Sequence, residues 1–218
     1  MFIHIFIIPY FSLVCKCFVR CCLKKIIDIC KGTGRICLYD GKNEQWIGNG
    51  FACYPLYGMP KLNKETLCST YDIAEAQAEK IHFQHDKGLP DFIKNCENKT
   101  FGLEAGEHHA SIMELRLISD VKTLVPVALQ GEGIAYFDEK YLQPFSDMDS
   151  DILSIYEYHL DIKQMCFVVT AGMITVGLIM AYDIIKDRFV NTLGEMYSRS
   201  KMQLAFTKSK EVDGHQKL

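Results

Sequence analysis

The sequence predicts an α+β fold of antiparallel β meanders with short helices and a C-terminal amphipathic helix. Three observations predict it. Residues 35–56 alternate short β-prone runs with glycine-rich turns, residues 152–182 hold three strand-length runs with a tight hairpin, and residues 185–197 carry an apolar stripe at helical spacing. The chain has 218 residues, 49% hydrophobic and 23% charged, which suffices for a buried core in one domain or two small packed ones.

Residues 1–23 form an apolar leader with Lys16 its only charge before Arg20. Its length is marginal for a membrane span, Pro9 interrupts it, and it lacks the charged start and small-residue cleavage site of a signal peptide. It is read as an upstream extension, with the natural protein expected to start near Leu23. Were the leader genuine, Cys15, Cys17, Cys21 and Cys22 beside basic residues would suit lipidation at a membrane.

An N-terminal half, 24–110, follows. Residues 24–31 give one or two helical turns closed by Gly32 and Gly34, and Arg35–Tyr39 is a strand. Asp40–Asn43 turns the chain into Gln45–Ile47, Gly48–Gly50 turns it again into Phe51–Tyr54, and Pro55 ends that run. A helix is expected from Lys64 to Tyr71 with Asn63 as its N-cap. Residues 74–100 are polar and weakly patterned, and read as a helix over Ala74–Ile81 followed by a mobile insertion.

The C-terminal half, 111–206, begins with strands at Ile112–Leu117 and Leu124–Leu129, the second placed at an edge or strand start by Pro126. Gly131 and Gly133 turn into a strand at Ile134–Phe137, and Asp138 caps a short helix, Glu139–Phe145. Strands at Ile152–Tyr158, Met165–Thr170 and Ile174–Tyr182 follow, the last two joined at Ala171–Met173, with Ile174, Val176, Leu178, Met180 and Tyr182 on one face. Asp183 caps the closing helix, whose stripe is Ile185, Phe189, Leu193, Met196 and Tyr197, and residues 207–218 are a polar tail.

Chemistry-bearing groups are sparse. Residues 1–25 hold four basic residues and no acid, which leaves 20 basic against 27 acidic residues in the body and argues against broad electrostatic binding of nucleic acid. The ten cysteines show no CxxC pair and sit mostly inside apolar runs, as free thiols do in a reducing compartment, so a cytoplasmic location is expected. His82, His85, His108 and His109 with Cys96 lack a standard zinc spacing, and no metal or other cofactor is expected. The acids Asp138, Glu139, Asp147, Asp149 and Asp151, and the order Pro90-Asp91 then Glu97-Asn98-Lys99, which resembles a PD…ExK nuclease pattern, keep a metal-dependent hydrolase or nuclease open. No GxSxG or phosphate loop is present, and no catalytic residue is assigned. Trp46, Phe51, Tyr54 and Tyr57 lie in the hairpin region, either as a partner-binding surface or as core.

Residues 133–184 contain Lys140-Tyr141-Leu142 within a strand–helix step and Leu178–Tyr182 closing a meander. This segment resembles the last repeat of a DNA sliding clamp. The resemblance implies a ring around duplex DNA, homo-oligomeric assembly, Lys140 facing DNA, and a pocket for peptides of replication proteins. Gln203-Leu204-Ala205-Phe206 is similar to a clamp-binding peptide. The expectation is a non-enzymatic binding protein, a sliding-clamp-like DNA-replication accessory factor of a mobile element. A protein-interaction module unrelated to DNA is the alternative.

Overall fold

The computed structural model describes residues 22–97, 101, 108–118, 121–130, 133–160, 164–182, 198–199 and 202. The chain divides into two compact units, Met1–Tyr182 and Asp183–Leu218. In the second, residues 198–199 and 202 are helical and exposed. The stripe at 185–197, the Gln203–Phe206 motif and the leader through residue 21 lie outside the described residues.

Helix α1, residues 22–33, buries Cys22, Leu23, Ile26, Ile27 and Cys30, a stripe one turn apart that leaves Lys24 and Asp28 in water. It already includes Cys22 and runs through Gly32, so it is longer than the one or two turns expected. It ends at Gly34, whose φ of 67° supplies the left-handed step into β1.

Strand β1 (Arg35–Asp40) pairs antiparallel with β2 (Gln45–Gly48), and β2 with β3 (Ala52–Pro55). Helix α2 (Lys64–Thr70) starts where expected. Asn63 Oδ1 accepts from Thr66 N, and Thr66 Oγ1 accepts from Asn63 N, both at 2.8 Å. In the polar stretch after it the expected helix is present but shorter, and the expected loop instead holds a strand and a helix. The stretch forms α3 (Glu75–Ala78), strand β4 (His82–Asp86) and α4 (Asp91–Glu97), and β4 pairs parallel with β1.

After β5 (His108–His109) the chain enters a second sheet of β6 (Ser111–Ile112), β7 (Leu117–Ile118), β8 (Thr123–Ala128) and β9 (Ile134–Asp138). The expected strand over 112–117 is broken into β6 and β7, and β8 is the middle strand, not an edge. Pro126 explains both departures. Its carbonyl accepts from Met113 N, so its nitrogen faces the same side, where the absent N–H falls opposite the break between β6 and β7.

A 3-10 helix (Glu139–Phe145) leads through a second 3-10 turn (Ser150–Ile152) to β10 (Leu153–His159), β11 (Met165–Ala171) and β12 (Ile174–Met180). The first sheet has the order β4-β1-β2-β3-β12-β11-β10-β5, antiparallel throughout except β4 with β1. Because β3 pairs with β12, strands of both halves share this sheet, and the halves are not separate domains. Tyr182 N donates to Tyr136 O at 2.6 Å, which ties the end of the meander to β9. The fold is α+β.

Two apolar cores cover the two faces of the large sheet. The first joins α1, Ile36, Ile47, Tyr54, Phe167 and the inner face of the small sheet, including Val125 and Phe137. The second joins Trp46, Cys37, Cys53 and Val168 to Leu89, Ile93 and Cys96. A β-bulge disturbs the expected alternation of β12. Val169 pairs with Gly177 and Thr170 with Thr175, so Val176 is the extra residue, and it packs in the first core while Leu178 packs in the second.

The described thiols behave as core side chains. Cys22, Cys30, Cys37, Cys53, Cys96 and Cys166 are buried and only Cys68 is half-buried. Burial, with Cys37 nearby, pushes Cys30 up to about 12, and burial likewise raises Cys53 and Cys166. Among the described thiols, alkylation at about pH 8, mapped by mass spectrometry, is expected to modify Cys68 first and to reach Cys30, Cys53 and Cys166 only at the rate of unfolding. Equal modification of all four in the folded protein contradicts this packing.

Candidate functional site

The Glu139–Phe145 helix is short because Pro144 removes a backbone donor, and it is fixed from several sides. At its start Asp138 Oδ1 accepts from Lys140 N at 3.3 Å. Tyr54 Oη donates to Tyr141 O at 3.0 Å, and Cys22 Sγ donates to Pro144 O at 2.7 Å. Lys25 Nζ reaches Ser146 Oγ at 2.8 Å and Asp147 Oδ2 at 2.5 Å, and this partner holds the Asp147 carboxyl below its ordinary value. Gly177 lets Phe145 close onto the sheet, since a Cβ there would lie 2.7 Å from the Phe145 ring.

Between this helix and the start of β10 lies a groove of about 720 Å³. Leu142, Phe145, Met148, Leu153, Ile155 and Val169 supply apolar surface, and His109, Ser111, Gln143, Ser150 and Ser154 supply polar groups. No lysine or arginine is among its described lining residues, and its one carboxylate, Glu139, is paired with Arg116 at 2.8 Å. Strand β5 pairs with Tyr156 and Glu157 of β10, and Ala110 N donates to Ile155 O at 2.8 Å. Leu153 and Ser154, which line the groove, therefore present a strand edge with no further strand beside it among the described residues.

On another side of the helix a polar pocket of about 320 Å³ is lined by Lys122, Thr123, Asp138, Glu139, Lys140 and Gln143. Lys140, nominated from sequence to face DNA, has its Nζ 2.9 Å from Asp138 Oδ2 and 5.2 Å from the centroid of the Tyr141 ring.

The aromatic surface expected around the hairpin is corrected in part. Trp46 and Tyr54 are 1% and 2% exposed, because α4 and the 3-10 helix cover opposite faces of the sheet there, so no partner reaches them on the folded surface. Tyr57 is half-buried and donates from Oη to Thr175 O at 2.8 Å. Phe51 alone is open, 47% exposed and stacked on Tyr182 with ring centroids 6.0 Å apart.

His82 and His85 lie three apart on β4, and His108 and His109 are adjacent on β5, so each pair points to opposite sheet faces. Cys96 belongs to α4 and is buried in the second core. Among the described residues no three His, Cys, Asp or Glu side chains gather as metal ligands. The acids are dispersed, with Asp138 against Lys140, Asp147 against Lys25, Asp91 against Lys94, and Asp149 accepting from Asp151 N. The groove itself was not read from sequence. Its one legible signal is Leu142 and Phe145 flanking Gln143 and Pro144, just before the Ser- and Asp-rich turn at 146–151.

Comparison with models of protein families, with curated proteins and with solved structures gives no match to this chain. Among the described residues no helix is long and apolar enough to cross a membrane.

Proposed function

We propose that this protein is a non-enzymatic binding protein that takes an extended apolar segment of a partner protein into the groove beside the 3-10 helix. The observation that carries the reading is the lining of that groove: an apolar floor, a polar rim, and the strand edge at Leu153–Ser154. An extended peptide satisfies its backbone along a strand edge and drops alternate side chains into such a floor. Phosphates require cations, and no lysine or arginine is among the described residues that line the groove.

The rival is the clamp-like reading, which calls for a ring-sized assembly and cations directed at phosphates. The pairing of Lys140 with Asp138 supports the peptide reading over it.

The test titrates the full chain against apolar extended peptides, a strongly charged peptide and a DNA duplex. The apolar peptides are expected to bind with Kd in the range of about 1–100 μM, as transient interfaces do. Leu142→Arg is expected to weaken that binding about tenfold or more, with only a small fall in melting temperature, since Leu142 is half-buried against the first core. Salt-sensitive duplex binding without peptide binding would overturn the reading in favour of the clamp.

A further inference from the structure

We propose that the groove has an occupant within this chain, the apolar segment Phe2–Ile8, which a partner's segment must displace; the inference rests on the groove reading above. The place where the leader joins the fold carries it. Cys22 is buried and donates from Sγ to Pro144 O at 2.7 Å, and about one turn further on Lys25 Nζ meets Ser146 Oγ at 2.8 Å. Pro144 belongs to the 3-10 helix that walls the groove, and Ser146 lines it. Residues 1–21 therefore attach to the fold at the groove's wall. That wall is a single helix, about 10 Å across. Residues 9–21 span up to about 40 Å when extended, several times what is needed to pass it.

The chemistry of the leader fits the groove. Phe2-Ile3-His4-Ile5-Phe6-Ile7-Ile8 is β-prone, carries no lysine, arginine or acid, and ends at Pro9. Extended, it sets Ile3, Ile5 and Ile7 on one face and Phe2, Phe6 and Ile8 on the other, so either face suits a floor of Leu142, Phe145, Met148 and Leu153. The basic residues come afterwards. Lys16 and Arg20 lie on the stretch that returns to Cys22, and residues 1–25 hold no acid. Beside Ser150, which lines the groove, Asp149 and Asp151 are exposed. Apolar groups thus meet apolar groups, and basic groups return past acidic ones. A segment tethered this way acts at an effective concentration of about 1 mM. Even with a dissociation constant of about 100 μM of its own, it lowers the groove's affinity for a free peptide about tenfold. The leader sets the threshold that a partner must exceed.

Fluorescence anisotropy of a labelled peptide copying residues 2–8 on a soluble Gly-Ser tail tests the occupant. It is titrated with the full chain and with the full chain carrying Ile5→Lys and Phe6→Lys, one change on each face. The double variant is expected to bind the peptide about tenfold tighter or more than wild type, and adding Leu142→Arg is expected to cancel the gain. A benzophenone amino acid in place of Phe6, irradiated in dilute full chain, is expected to cross-link within the same chain to residues 142–154. Equal, measurable affinity of wild type and double variant overturns the inference and leaves the groove reading standing. Binding to neither, nor of any other apolar peptide to the double variant, overturns both. A gain that survives Leu142→Arg, or cross-links confined to other parts of the chain or to a second chain, overturn the inference as well.

Discussion

Trp46→Ala is expected to remove about 3–5 kcal/mol of stability, the largest loss of any single side chain here. Trp46 is 1% exposed, sits opposite Tyr39 on β1 and Pro55 on β3, and joins the sheet to Ile93 and Cys96 of α4. Truncation leaves a cavity between two rigid layers that cannot close by a side-chain shift. Against a total stability of about 5–15 kcal/mol, the loss is enough to leave much of the chain unfolded at physiological temperature. Trp46→Phe is expected to lose far less, because the buried Nε1 makes no hydrogen bond among the described residues and its removal sacrifices none. Chemical denaturation of the three proteins checks this, and a Trp46→Ala midpoint equal to wild type would contradict the two-layer packing.

Gly48→Ala is the second large effect, for a different reason. Asn49 N donates to Ala52 O at 3.1 Å, and Asn49 Oδ1 accepts from Phe51 N and Ala52 N at 3.0 and 3.1 Å, which draws β2 and β3 tightly together. A Cβ on residue 48 would run into the Ala52 carbonyl oxygen and lie 2.7 Å from Cys53 Sγ and 2.9 Å from Cys53 Cα. Backbone in a buried hairpin has little room to give, so the expected cost is about 3 kcal/mol or more. For a domain of this size that is a fall in melting temperature of about 6–12 °C. Gly32→Ala serves as the control, since a Cβ there meets nothing within 4 Å and the residue is helical, so its melting temperature is expected to hold or rise.

What the sequence revealed and concealed follows from the range of the interactions. The caps at Asn63 and Asp138 and the Ala171–Ile174 hairpin, with Gly172 at φ 60°, were legible because each is settled by residues a few positions apart. Strand β4 was not. His-Phe-Gln-His-Asp has no clean alternation, and it is a strand because His82–Asp86 finds the matching edge of Arg35–Tyr39. The exposure of Trp46 against Phe51 turned on α4, a helix too short to announce itself by periodicity. The groove escaped for the same reason, since Ser111, Leu142, Leu153 and Val169 meet only once both sheets are in place.

The central claim is that the groove, not the polar pocket at Lys140 or the hairpin, is where a partner binds. Backbone amide NMR of the full chain titrated with a bound apolar peptide tests it most directly. Shifts concentrated at Leu142, Leu153, Ser154 and Ile155 are predicted, with new protection from exchange along the free edge of β10. Shifts centred on Lys122, Lys140 or Phe51, with β10 unmoved, would contradict it.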